Sequence, residues 1–140
     1  MAIDWRQLLS AGDGYQLRPG VSRAEAAAAE AALTAALPAE LKDLYLASDG
    51  VFDATGQWFV IWPLAELVTR NQDAWSRDAR SPRQALVGFG DDGTGAPFCV
   101  IRDDGSSVFA WSAIDGEATL LADTVTGFWS GWVAGTLPAH

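Results

Sequence analysis

Between Ala85 and Leu121 the chain leaves itself few choices of fold. Four short runs rich in β-branched and aromatic residues follow one another there: Ala85–Phe89, Phe98–Arg102, Val108–Trp111 and Glu117–Leu121. Turn-forming residues separate them. Each connection is shorter than the roughly twelve residues that a parallel crossover requires. The strands must therefore pair as an antiparallel meander.

The first half follows a different period. "SRAEAAAAEAAL" opens with Ser22 and Glu25 three residues apart, the spacing of a capping box in which each side chain satisfies a backbone N–H of the first turn. Pro38 closes that helix and opens "PAELKDLYLASDG", where Leu41, Leu44 and Tyr45 fall on one stripe. Gly50 is placed to terminate it in the left-handed conformation. "QWFVIW" (57–62) reads as a strand, and "PLAELVTRNQDAW" (63–75) as a helix with Leu64, Leu67 and Val68 inward. A short helix within 1–17 carries Trp5, Leu8 and Leu9. Residues 77–84, "RDARSPRQ", read as an exposed loop with three of the nine basic side chains. A closing helix, with Asp123 as its N-cap, aligns Val125, Phe128, Trp129, Trp132 and Val133. Gly127 and Gly131 each weaken it by about 1 kcal/mol relative to alanine, so tertiary packing must hold it. The expected fold is α+β, a mainly antiparallel sheet packed by N-terminal helices and a C-terminal helix, in one domain over 1–140.

The stretch "LVGFGDDGTGAPFCVIRDDGSSVFAW" raises three chemical possibilities. Gly88, Gly90 and Gly93 have the spacing of a dinucleotide-binding loop, but such a loop needs a helix N-terminus next, and here a strand follows. Asp91–Gly93 and Asp103–Gly105 each read Asp-Asp-Gly, yet neither has the alternating ligands of a calcium loop. An ion held jointly by the aspartates of the two turns stays open at this stage. The simplest reading is two tight turns whose positive φ favours Asp-Gly. The only histidine is His140, the last residue, so a Ser-His-Asp or Cys-His mechanism lacks a base. The single Cys99 lies mid-strand and reads as a small core residue rather than a nucleophile. No catalytic, cofactor or metal residue is assigned, and the expectation is a non-enzymatic protein.

The net charge of −9 opposes nucleic acid and anionic membrane surfaces and favours encounter with a basic protein. No signal peptide and no apolar run of about 20 residues is present, which with a single thiol points to the cytoplasm. The candidate partner surface comprises the turn aspartates Asp49, Asp53, Asp91, Asp92, Asp103, Asp104 and Asp115, with Trp111. Trp58, Trp62, Trp129 and Trp132 are further candidate anchors, although their phase assigns most of them to the core.

Three segments in order carry a resemblance: "LPAELKDLYLASDG" (37–50), "VGFGDDGTGAPF" (87–98) and "VFAW" (108–111). Together they resemble the SMI1/KNR4 family of the SUKH superfamily, over roughly residues 22 to 135. The "GFG" phenylalanine, Phe89, departs from the polar or small residue of many members. The resemblance implies helices against one sheet. It also implies an immunity protein that binds and neutralises a toxin, as bacterial members are regarded. The alternative it leaves is a regulatory or scaffold interaction module, as in fungal relatives. It carries over no catalytic residue.

Overall fold

The computed structural model describes residues 3–103 and 105–138. Its elements run α1 (Trp5–Ser10), β1 (Tyr15–Leu17), α2 (Arg23–Leu33), α3 (Ala39–Ala47), β2 (Val51–Asp53), β3 (Trp58–Ile61), α4 (Leu64–Arg77), a 3-10 turn (Pro82–Ala85), β4 (Leu86–Asp91), β5 (Pro97–Ile101), β6 (Val108–Ser112), β7 (Glu117–Ala122) and α5 (Val125–Ala134). The seven strands form one sheet in sequence order, and every neighbouring pair is antiparallel. The α+β meander is as the sequence predicts. Strands β1 and β2, three residues each, are too short to leave a periodic signature.

Local chemistry starts the helices where expected, with adjustments. The Ser22–Glu25 capping box forms, each side chain accepting an N–H at 3.0 Å. The N-cap of α5 is Thr124 rather than Asp123; its hydroxyl accepts the Gly127 N–H at 2.9 Å. Gly50 does not end α3, which closes at Ala47 with Ser48 extended. Its positive φ of 90° serves the next corner instead, where a Cβ would come within 2.9 Å of the Ile61 carbonyl.

The core lies between one sheet face and the helices. Val87, Phe89, Phe98, Val100, Val108, Ala110 and Leu121 meet Phe128 and Trp129 of α5 and the stripes of α1 to α3. Phe98 and Phe128 pack with ring centroids 4.7 Å apart. The glycine-weakened α5 is held as the sequence requires: the Trp129 indole donates to the Leu8 carbonyl, and Glu40 of α3 accepts both the N–H and hydroxyl of Thr126 at 2.9 Å.

Candidate functional site

Alternate residues of β4 to β7 point away from the helices. On that side Leu86, Cys99 and Trp111 form a small buried cluster, with Ile101 against it. Outward from the cluster, Phe109 and Ile101 are half-buried and Leu120 is 47 % exposed.

The border of this face is built by α4. Strand β3 pairs with β4 only at Ile61 and Gly90, with one more bond from the Trp62 N–H to the Phe89 carbonyl. Beyond that point the backbone of β4 would be an open edge buried by α4. Asn71 closes it by standing in for a strand. Its amide donates to the Gly88 carbonyl and accepts the Gly88 N–H, both at 2.8 Å. Farther along, the Leu86 carbonyl accepts from the Trp75 indole at 3.0 Å and from Arg83. The segment expected as an exposed loop thus includes a buried arginine, because the 3-10 turn swings Arg83 onto this edge. Gly88 makes the room: a Cβ there would sit 3.0 Å from the guanidinium and 3.2 Å from the Trp62 ring.

The result is a groove of about 430 Å³ whose lining includes Trp62, Arg70, Arg83, Asp91, Pro97 and Trp111. The Arg70 guanidinium lies over the Trp62 ring at 4.7 Å. On the far side of Trp111, a second hollow of about 400 Å³ is rimmed by Asp92, Ile114, Asp115 and Glu117. Trp111 lines both.

Among the sequence candidates, Asp91, Asp92, Asp115 and Trp111 come together at this end of the sheet. They differ in freedom. Asp91 accepts the Trp62 indole at 2.9 Å and the Gly93 N–H at 2.7 Å, so it is a girder of the groove. Asp92 bonds Thr94 within its own turn, and Asp115 accepts from Ser112 at 3.1 Å. Asp53 lies at the same end but belongs to the β2–β3 turn, where it accepts the N–H groups of Thr55 and Gly56. Asp49 and Asp103 lie at the other end. Asp49 accepts the Leu64 N–H at 2.7 Å and pairs with Arg18 at 3.8 Å; Asp103 accepts the Ala36 N–H at 2.7 Å. Asp104 and His140 fall outside the described residues. Trp129 is core, Trp132 is half-buried against Phe98, and the Trp58 indole donates to the Asp91 carbonyl.

The two Asp-Asp-Gly turns are separated by the length of β5, about 3.3 Å per residue over Pro97–Ile101. Asp91 and Asp103 therefore cannot share one ion. Gly93 and Gly105 have φ of 88° and 75°, the turn geometry the sequence predicts. Gly88 and Gly90 sit within β4 and a strand follows Gly93, so no helix N-terminus addresses that loop. Burial pushes the Cys99 thiol up to about 12, which leaves it a neutral packing group at physiological pH. Among the described residues no cluster of three or more His, Cys, Asp or Glu could hold a metal, and no helix is long and apolar enough to cross a membrane.

Asn71 and Arg83 were not singled out by the sequence. Asn71 left a trace, a polar residue in phase with Leu64 and Leu67 on an inward stripe. Arg83 left none, since its burial depends on a turn of four residues.

A model of the SMI1 / KNR4 family (SUKH-1) matches residues 20–131. No curated protein matches the chain.

Proposed function

The chain belongs to the SMI1/KNR4 family, whose domains are protein-interaction and immunity-type modules, and on that premise we propose that it is an immunity protein that neutralises a toxin domain by direct binding. The observation that carries this reading is the uncovered sheet face around Trp111. Trp111 is the buried floor between two hollows, and the half-buried Phe109 and Ile101 with the exposed Leu120 beside it are the surface a partner would desolvate. The Asp92, Asp115 and Glu117 rim, on a chain of net charge −9, would steer a basic surface toward it. A nuclease toxin is basic because it binds phosphate, and an acidic inhibitor uses the same attraction. The site works by occlusion and needs no catalytic group. We place the complex in the cytoplasm, where such a toxin would act.

The proposal requires a neighbouring gene for a large protein with a C-terminal toxin domain, and the test is co-expression with that domain. We expect co-purification and relief of toxicity. Asp92→Lys with Asp115→Lys should slow association at low salt and less so at high salt. Asp91 is unsuitable for this purpose because its carboxylate holds Trp62. Neither co-purification nor protection would reject the toxin reading, and stable capture of a non-toxic protein would favour a scaffold module instead.

A further inference from the structure

Arg83 brings a cation to the groove while only 7 % of the residue remains exposed. Its two hydrogen bonds go to neutral acceptors, the Leu86 carbonyl and Asn71 Oδ1 at 2.9 Å. Among the described residues no carboxylate forms an ion pair with it. The acids that line the same groove are engaged elsewhere. Asp73 pairs with Arg77 at 2.6 Å, Asp78 accepts the Arg80 N–H, and Asp91 holds the Trp62 indole.

The edge of β4 does not explain this charge. Leu86 already receives a neutral donor from Trp75, and Gly88 is satisfied by the amide of Asn71. A neutral side chain could supply the remaining bonds without the several kcal/mol that an unpaired buried ion costs. Desolvation does lower the Arg83 pKa, as that cost requires. A guanidinium has five N–H donors in a fork that matches a carboxylate, and only two bonds are made here.

We propose that this groove seats a glutamate side chain of a protein partner, its carboxylate against Arg83 and its aliphatic stem between Trp62 and Trp111. The recess favours a slender group on a flexible stem over a chain terminus, which must bring its backbone with it. The groove sets Asp73, Asp78 and Asp91 against Arg70, Arg77 and Arg83, and such a balanced lining favours a single carboxylate over a phosphate dianion or an acid-rich segment. A single glutamate among apolar and basic residues fits both the aromatic walls and the acidic rim. The inference rests on the chain being a protein-binding module, and not on its partner being a toxin.

The experiment uses the full chain, labelled with nitrogen-15, and doubly blocked peptides of sequence Lys-Leu-Glu-Leu-Lys and Lys-Leu-Gln-Leu-Lys. A third peptide carries the glutamine and a free C-terminal carboxylate. The glutamate peptide should shift the Trp62 and Trp111 indole signals and the Gly88 amide saturably, binding at least about tenfold tighter than its glutamine twin. Arg83→Gln should shrink that preference to about twofold or less. Should that variant not fold, the glutamate–glutamine comparison on the unaltered chain decides alone. Equal binding of the first two peptides overturns the proposal. So does tighter binding of the free-end peptide, or no saturable shift up to about 5 mM. A negative result here leaves co-purification with the toxin domain unaffected, and failed toxin capture leaves the peptide preference intact.

Discussion

The two faces of the sheet are made from the same strands and are almost equally apolar, yet they behave differently. On one side Phe89, Phe98 and Val100 are fully buried beneath helices, and Phe128 packs edge-on to Phe89. On the other, Cys99 and Trp111 are buried while Phe109, Ile101 and Leu120 remain partly open. In an antiparallel sheet with one solvated face, the outward residues are ordinarily polar. Here β5 reads Phe98-Cys99-Val100-Ile101, apolar on both sides. The apolar residues on this side that the helices leave uncovered, Phe109, Ile101 and Leu120, are what the proposed docking face rests on.

The contrast is most sharply tested by paired truncations. Phe98→Ala should cost about 3–5 kcal/mol by opening a cavity in the helix-covered core. Leu120→Ser, on the open face, should stay within about 0.5 kcal/mol. Urea unfolding of both variants checks this, and similar losses would mean the two faces are equally structural.

Next in size is the border between the faces. Asn71→Leu removes both bonds to Gly88 and orphans a buried N–H and C=O, at a cost of about 2–4 kcal/mol. Faster hydrogen exchange at the Gly88 amide should accompany the loss. A variant as stable as the parent would show that Asn71 does not replace a strand.

The buried thiol gives a pH test of how dry the open-face cluster is. Burial raises the folded pKa of Cys99 from 9.0 to about 12. The unfolded chain therefore releases this proton first, and stability is intact below pH 9 and declines as pH climbs toward 12. Tyr45, raised by burial in the core, acts in the same direction. Cys99→Ala should make the alkaline decline shallower, and the native thiol should resist thiol reagents at pH 7. Rapid labelling of the folded protein would mean that water reaches the cluster.

The smallest expected difference separates the two Asp-Asp-Gly turns. Asp91→Ala frees the buried Trp62 indole as well as a turn amide and should cost about 1–2 kcal/mol. Asp103→Ala loses one exposed bond to Ala36 and should cost about 0.5–1 kcal/mol. Thermal melts resolve the pair, and the reverse order would contradict the role of Asp91 in holding the groove.

Much of the architecture was legible in advance, and the reasons are local. Short connections after Ala85 dictated an antiparallel meander, the Ser22–Glu25 spacing started α2, and positive φ drew glycine to the turns. Trp111, Asp92 and Asp115 could be named as candidates because turn aspartates and tryptophans leave a mark in the sequence. Their assembly could not be read, nor could the place of Asp49. The two Asp-Asp-Gly turns flank β5, so the predicted meander itself sends them to opposite ends of the sheet. The sequence alone determined the period of each element, because period follows from the bonds within a strand or helix. The tertiary structure decided which face was covered, that Asn71 would complete β4 and that Arg83 would be buried without a counter-charge. Those outcomes rest on contacts such as Glu40 to Thr126, Asn71 to Gly88 and Arg83 to Asn71, which form only when separate elements pack.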